Sequence, residues 1–341
     1  MQVLDSYTAA FPTLGADMRR REFIRLAGGS AAVLPFAAQA QQSGKIPTIG
    51  FLGVNTTAWG PWTAAFVERL RALGWIEGRT IAIEYRWSEG SPERYPDFAA
   101  EFARLKVDVI VTSAAAVPAV TRAAPAIPVV FTLALDPVGV GLVNSLARPG
   151  GNVTGNSVLA TELAGKRLEL LREAVPGLRR LAIMADAGLP ESVLEMNEVQ
   201  GISRQLGIEI TRLEIHSAEE IVPAFELHKA EVDALYVVID ELLNASRARI
   251  INLALAARLP SIYGTADWAR SGGLLSYGPN FPNLFARAAE LTDRILRGTR
   301  PGDLPVEQAS KFELVINLNT AKTLGLTVLP TLLARADEVI E

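Results

Sequence analysis

The sequence LARPGGNVTGNS, residues 146–157, decides the fold because it separates two similar series of strands and helices. Pro149, Gly150 and Gly151 break regular structure, since proline cannot continue a helix and glycine tolerates turn conformations. Before the break, β-rich runs alternate with helical patterns and lie at 46–54, 80–87, 107–112 and 127–133. After it, strands are predicted at 180–185, 208–215, 234–239 and 261–264, and the capping-box pattern SAEE predicts a helix start at 217–220. This alternation predicts βαβ units and parallel sheets.

The chain passes between the two series more than once. It returns through 272–279 into a helix at 280–297, and 298–305 leads into a segment of strand and helix character at 311–324. We therefore predict an α/β fold of two doubly wound, Rossmann-like lobes joined by a multi-strand hinge. The predicted lobe 1 and lobe 2 cover, respectively, 41–155 plus 279–305 and 156–278 plus 306–341. In such sheets ligands bind outside the carboxyl ends of the strands, and the lobes close around the ligand by a hinge motion.

Residues 1–40 have the pattern of a bacterial export signal. Arg20 and Arg21 precede an apolar run at 26–38 and the small-residue site Ala38-Gln39-Ala40, which is the order of a signal sequence. The run is too short to cross a hydrocarbon core of ~30 Å as a helix. We expect translation to start at Met18 and the signal to be cleaved near Ala40, leaving a soluble periplasmic protein. Twin-arginine export and ordinary secretion both remain open.

The composition excludes several partners and chemistries. With 33 Lys and Arg against 37 Asp and Glu, the net charge is −4, whereas proteins that bind nucleic acid or anionic lipid present basic faces. The chain has no cysteine, and its only histidines are His216 and His228. No G-x-S-x-G, H-E-x-x-H or P-loop motif is present. We therefore expect no catalytic residues, no metal and no cofactor, and we expect a monomer.

Several ungapped motifs occur in the order of a known family. They are IGFLG at 49–53, LGWIEG at 73–78, DPVG at 136–139, LARPGGNVTG at 146–155 and FELVINL at 312–318. From about Ile46 to its C-terminus, the chain resembles the ABC-transporter substrate-binding proteins of the TrpX-like type. The resemblance implies a type 1 periplasmic-binding-protein fold that captures a small solute and presents it to a membrane permease. Some members of that family bind aromatic amino acids.

Ligand contacts are expected where strands of the predicted lobe 1 end. Asn55 and Thr56 follow the first strand, where amides and hydroxyls near a helix N-terminus can bind a carboxylate or simply cap the helix. Ser113 and Ala114 follow the third strand, where small residues let a ligand approach the backbone. The resemblance also implies that this loop lines the cleft.

Two further groups in the predicted lobe 1 have alternative explanations. Asp136 before Pro137 has the N-cap pattern, so capping competes with binding of a ligand amine, and Thr132 is the better candidate contact. Trp59 and Trp62 follow the first strand and either stack on an aromatic ligand or pack the helix.

The predicted lobe 2 offers carboxylates at strand ends. Asp186 and Asp240 each end a strand and could bind an α-amino group, or each could cap its following helix. Asp240 is our preferred partner for an amine. Thr265 follows another strand end, and Tyr277 lies near the second crossover, where it either closes the pocket or packs the hinge.

Three functions remain open from the sequence. The first is the solute-binding component of an ABC importer, which captures a small carboxylate or amino-acid-like ligand. The second is a periplasmic sensor that reports a ligand to a membrane receptor. The third is an exported α/β enzyme, which the absence of catalytic motifs makes the weakest.

Overall fold

Strands and helices alternate along the chain, and a computed structural model describes residues 46–158 and 160–341. The strands form two sheets covered by helices, which confirms the predicted α/β class with two doubly wound lobes. The predicted export signal at 1–40, with Met18 and the cleavage site near Ala40, lies outside the described residues. Within the described part of the chain, no helix is long and apolar enough to cross a membrane.

The elements have the following bounds. The strands of the first sheet are β1 (Thr48–Gly53), β2 (Ala82–Trp87), β3 (Val109–Thr112), β4 (Val129–Ala134), β5 (Val153–Ser157) and β11 (Glu307–Gln308). Those of the second sheet are β6 (Arg180–Asp186), β7 (Glu209–Ile215), β8 (Ala234–Val237), β9 (Ser261–Tyr263), β10 (Leu275–Pro279), β12 (Phe312–Asn317) and β13 (Glu338–Ile340). The α-helices are α1 (Thr56–Ala72), α2 (Tyr95–Leu105), α3 (Val117–Ala123), α4 (Ala160–Ala174), α5 (Pro190–Gln205), α6 (Ile221–His228), α7 (Glu241–Ala245), α8 (Arg247–Ala256), α9 (Ala266–Arg270), α10 (Phe281–Leu296), α11 (Leu318–Leu324) and α12 (Pro330–Leu333). Short 3₁₀ turns lie at Pro92–Arg94, Ala114–Ala116 and Pro301–Asp303.

The first sheet has the strand order β11-β5-β4-β3-β1-β2 with parallel pairing. Its central strand β3 is buried at every residue because helices cover both faces. Successive residues of β1 point to opposite faces, so Phe51 packs with Phe66 of α1 and Phe285 of α10 on one side. On the other side Leu52 packs with Phe102 of α2. We call this sheet with its helices lobe 1.

The second sheet has the strand order β13-β12-β10-β9-β8-β6-β7, and its β10–β12 pair is antiparallel. Leu168 of α4 and Met196 of α5 pack on one face. Phe225 of α6 and Ile250 of α8 pack on the other. We call this sheet with its helices lobe 2.

The chain changes sheet after β5, between β10 and α10, and between β11 and β12. Asn280 lies at the second of these crossings, where its side chain accepts a hydrogen bond from the Asn283 amide at 2.7 Å and caps α10. The Asn280 amide in turn donates to the Lys311 carbonyl at 3.0 Å, which ties the second crossing to the third. Because β11 pairs with β5, the third crossing lies after Gln308, a few residues beyond the boundary predicted at 305.

Candidate ligand-binding site

A cavity lies between the two lobes at the carboxyl ends of their strands. Lobe 1 contributes residues after β3 and in and after β4, and lobe 2 contributes residues after β6, β8 and β9. The space between its lining residues measures about 760 Å³ when open solvent at the mouth is included. Its position is the one that the strand-end rule for open α/β sheets favours.

Aromatic rings form much of the cavity wall. Trp59 and Trp62 come from α1, Phe281 begins α10, and Trp268 lies in α9 of lobe 2. The Trp62 and Phe281 ring centroids are 4.8 Å apart in an edge-to-face arrangement, while Trp268 stacks on Tyr263 at 4.4 Å. These partners hold the rings in place, so the wall is preformed and apolar.

The main polar group of the cavity is the carboxylate of Asp240, which is 7% exposed. Its Oδ1 accepts from the Leu243 amide at 2.7 Å and caps α7, and its Oδ2 accepts from the Asp186 amide at 3.1 Å. Burial raises the pKa of Asp240 to about 8, and the neighbouring charges of Asp186 and Glu195 add to the rise. A carboxyl held in this way is stabilised in its ionised form by any cation that enters the cavity.

Glu241 joins the two lobes across the cavity. The Tyr95 hydroxyl, from α2 of lobe 1, donates to Glu241 Oε2 at 3.1 Å. Burial raises the pKa of Glu241, and hydrogen bonds from Ser113 and Tyr95 oppose that rise. Another cross-cleft bond runs from Trp62 Nε1 to Asp267 Oδ2 at 3.1 Å. The structure therefore has the closed arrangement, with the cavity enclosed between the lobes.

Thr265 lines the cavity and carries a buried hydroxyl. The residue is 5% exposed, and its Oγ1 has no hydrogen-bond partner among residues 46–158 and 160–341. Gly264 beside it allows close packing, because an added Cβ would lie 2.0 Å from Ile239 Cγ1. Since an unpaired buried hydroxyl is costly, its presence in the wall points to a polar group on the ligand.

A buried ionic network supports the lobe 2 side of the cavity. Arg167 pairs with Glu195 at 2.5 Å, and both side chains are fully buried. The Tyr236 hydroxyl donates to Glu195 at 2.7 Å, and Arg167 Nε donates to the Tyr277 carbonyl of β10 at 2.8 Å. Glu195 also accepts from the backbone of Ile239, one residue before Asp240. The network thus links the loop that carries Asp240 to the hinge strand.

The structure brings some of the sequence-predicted site residues together. Ala114, Asp240 and Thr265 line the cavity. Ser113 is hydrogen-bonded to Glu241, which lines the cavity. Trp59 and Trp62, for which stacking and packing were both open, line the cavity and also pack in the lobe 1 core.

The structure places other predicted residues outside the cavity lining. The Thr132 hydroxyl donates to the Thr112 carbonyl at 3.3 Å inside the first sheet. Asp136 and Asp186 accept from the amides of Gly139 and Gly188, both at 2.8 Å, so each caps a turn.

The remaining three also lie outside the lining. Asn55 and Thr56 lie at the start of α1, where Thr56 is exposed to solvent. Tyr277 stacks on Phe312 at 6.3 Å in the hinge strands.

Sequence reasoning missed Tyr95, Glu191, Glu241, Asn244 and Trp268. Glu241 directly follows the predicted Asp240. Trp268 lies in the short helix α9, whose N-cap is the predicted Thr265. These neighbours of predicted residues could have been proposed from spacing alone. Tyr95 carries no such signal, because its partner lies 146 positions away in sequence.

The two histidines of the chain lie away from the cavity. Neither His216 nor His228 lines it; each interacts with a nearby glutamate on the surface. Among residues 46–158 and 160–341, no group of three His, Asp or Glu side chains could hold a metal ion.

A two-lobed α/β fold that encloses a cavity beside its hinge is the architecture of a solute-binding protein. The chain belongs to the ABC transporter substrate-binding proteins, because the model of that family matches residues 61–340. This membership confirms the family inferred from the sequence motifs. Because its members are binding proteins, it also confirms the prediction that the chain is not an enzyme.

Three proteins of known name or structure are similar to this chain. A tyrosine-binding protein of Clostridioides difficile (strain R20291) is 28% identical over 262 residues, 76% of this chain and 75% of that protein. A conserved domain protein from Vibrio cholerae has 27% identity and a TM-score of 0.83, and the match covers 86% of this chain and 100% of the V. cholerae chain. An ABC domain in complex with L-Trp from Streptococcus pneumoniae has 23% identity and a TM-score of 0.82, covering 87% and 100%.

Proposed function

We propose that this protein is the solute-binding component of an ABC importer and that its cleft captures an amine-bearing solute with an apolar body. The observation that carries the proposal is the cavity itself. A buried carboxylate, Asp240, stands in a wall made largely of tryptophan and phenylalanine rings. Such a wall suits an apolar or aromatic group, and the carboxylate suits an ammonium.

The polar groups of the cavity favour an amine over a simple carboxylate. Asp240, Glu241 and Glu191 all line it, and a ligand whose only charge is negative would face three acidic side chains. Of the two ligand classes expected from the sequence, the amino-acid-like one therefore fits better. The C. difficile relative is named for tyrosine, which combines an amine with an aromatic ring.

Ligand capture can be tested by isothermal titration calorimetry on the purified protein. The panel contains aromatic and branched amino acids, their amines, and small carboxylates without an amine. We expect saturable binding of one ligand per chain from amine-bearing, apolar compounds and no binding from the simple carboxylates. Binding confined to the simple carboxylates would refute the proposed ligand class.

The proposal also includes a cellular role in solute uptake. We propose that the mature chain acts as a periplasmic monomer, after cleavage near Ala40, and delivers its solute to an inner-membrane permease. Family membership supports the transporter context. Uptake of a labelled ligand into permease-containing vesicles, dependent on added protein, separates this role from the sensor alternative. A sensor would bind the same ligand without supporting uptake.

A further inference from the structure

A fully buried arginine, Arg167 of α4, lies behind the lobe 2 wall of the cavity. Its Nη1 donates to Glu195 Oε1 at 2.5 Å and to the Tyr236 hydroxyl at 3.1 Å. Its Nε donates to the Tyr277 carbonyl at 2.8 Å. A guanidinium is planar and its donors point in fixed directions. The positions of these three partners relative to one another are therefore set by one side chain.

The partners of this arginine belong to different segments around the cavity. Glu195 lies in α5, and its carboxylate also interacts with the backbone N–H of Ile239, which lines the cavity directly before Asp240. Tyr236 lies in β8, the strand that leads into the same loop. Tyr277 lies in the hinge strand β10. The arginine thus connects the Asp240 loop, the helix behind it and the hinge.

Two glycines bring the backbone of the cavity wall close to the same arginine. An added Cβ at Gly264, which lines the cavity beside Thr265, would lie 3.4 Å from Arg167 Cζ. An added Cβ at Gly278 of β10 would lie 1.7 Å from the Gly264 carbonyl oxygen. The backbone that follows β9 therefore packs between the guanidinium and the hinge strand. A shift of the guanidinium reaches the Thr265 side of the wall directly.

The cost of burying these charges indicates a role other than stability. Arg167 and Glu195 both lose their water, and a buried ion pair often contributes no more to stability than apolar side chains of similar volume. Apolar side chains cannot supply direction, whereas a guanidinium fixes where each of its acceptors lies. The network is therefore suited to holding backbone segments in place.

We propose that Arg167 is a positioning residue for ligand capture, which holds the loops that carry Asp240 and Thr265 in the geometry that binds the solute. This inference rests on the proposed capture function. The arginine itself does not line the cavity, so it acts on affinity through these loops. Its bond to the Tyr277 carbonyl ties the same loops to β10, so the hinge and the lobe 2 half of the site are set together.

The test replaces the arginine conservatively and measures affinity and stability on the same protein. Arg167→Lys keeps the positive charge opposite Glu195 and loses the planar set of donors. Arg180→Lys is the matched control, because Arg180 pairs with Asp233 at 2.7 Å in the same lobe, but at the start of β6, the end of that strand away from the cavity. Calorimetry measures binding of L-tyrosine and L-tryptophan, and urea unfolding measures stability.

The two possible roles of the arginine give different results. We expect folded Arg167→Lys to bind at least tenfold more weakly than wild type and Arg180→Lys to bind as wild type does. A lower urea midpoint with wild-type affinity in Arg167→Lys would show a structural role only and would overturn the proposal.

A milder variant replaces Arg167→Lys if that protein does not fold. Tyr236→Phe keeps the ring in the lobe 2 core and removes the hydroxyl that donates to Glu195 at 2.7 Å. We expect its binding to be at least threefold weaker than that of wild type. Wild-type affinity in folded Tyr236→Phe would then overturn the proposal.

Hydrogen exchange separates failure of this proposal from failure of the capture function. If the wild-type protein binds neither amino acid, that result counts against the capture function alone. Exchange in the ligand-free proteins then tests the positioning role. Amides at 238–245 and 264–268 should exchange faster in the variant than in wild type, while those of β7 (Glu209–Ile215) stay unchanged. Equal exchange at 238–245 and 264–268 would overturn the positioning role.

Discussion

Removing the Tyr95 hydroxyl should favour opening of the cleft. Tyr95 lies in lobe 1 and is 4% exposed, and its hydroxyl donates to Glu241 of lobe 2 at 3.1 Å. In an open protein the two groups separate and water satisfies both, so this bond stabilises the closed state alone. Tyr95→Phe keeps the ring in the lobe 1 core and removes the hydroxyl, which also interacts with Ser88 and Ser113 of lobe 1.

The size of the effect follows from the partner's charge. A hydrogen bond to a charged group contributes about 1.5–3 kcal/mol. Glu241 keeps its bond from Ser113, so we take the lower end of that range. Since about 1.4 kcal/mol corresponds to a tenfold change in an equilibrium constant, Tyr95→Phe should lower the closed-to-open ratio of the ligand-free protein about tenfold. Ligand binding should weaken by up to the same factor, because only the closed fraction holds the ligand.

Calorimetry and small-angle X-ray scattering together test this prediction. Tyr85→Phe is the matched control, because the Tyr85 hydroxyl also donates to a glutamate, Glu77 at 3.4 Å, but within lobe 1. We expect Tyr95→Phe to lower the affinity and to enlarge the ligand-free protein in solution, and Tyr85→Phe to do neither. Wild-type affinity and an unchanged radius of gyration in Tyr95→Phe would refute the cross-cleft role of this bond.

Three further predictions concern Asp240 and the packing beside it. Asp240→Ala removes the proposed ammonium partner, so calorimetry should show at least about a tenfold loss of amine affinity. Losing the cap of α7 should lower the unfolding free energy by only ~1 kcal/mol. An unchanged amine affinity would refute Asp240 as the ammonium partner. Because the pKa of Asp240 is raised from 3.8 to about 8, the ligand-free folded protein binds more protons than the unfolded chain between these values. Its unfolding free energy, measured in urea, should therefore fall from pH 5 to pH 8 by up to ~1.4 kcal/mol per pH unit for this group, and a pH-independent unfolding free energy would contradict this. Amine affinity should rise over pH 6–8, because Asp240 becomes ionised in that range. Gly264→Ala should lower the unfolding free energy by ~1–3 kcal/mol because its Cβ would meet Ile239, whereas the exposed helical control Gly201→Ala, with open space around it, should raise it slightly.

The layout of the fold was predictable because it depends on local patterns. The run at 107–112 predicts a buried parallel strand, and β3 (Val109–Thr112) is buried at every residue. The glycine and proline break at 149–151 indicates where one series gives way to the next, although β5 (Val153–Ser157), which was not predicted, follows the break and still pairs with β4 of the first sheet. Such features need only neighbouring residues, so composition and spacing suffice.

Strand and helix ends were harder to predict, because a few residues decide what a side chain faces. β4 continues to Ala134, with a shift of register between Phe131 and Ala134, so Thr132 lies inside the sheet. The helix predicted from 217–220 begins at Ile221, because the Glu220 carboxylate accepts from the His216 amide and holds a turn there.

The cross-cleft contacts could not be predicted from one sequence. Glu241 meets Tyr95 only because two sheets, assembled separately, bring their strand ends together at the hinge. The buried partner of Arg167, Glu195, is likewise fixed by how α5 packs on α4. Long-range pairings of this kind leave no local pattern, whereas Asp240 was predictable because it lies three residues after the end of β8 (Ala234–Val237).

A crystal structure of the protein grown with the tightest-binding amine tests the central claim most directly. We expect electron density between the lobes, with the ligand body against Trp268 and Trp62 and its ammonium within hydrogen-bonding distance of Asp240. A ligand bound outside the cleft, or one whose carboxylate or hydroxyl replaces the ammonium at Asp240, would contradict the account.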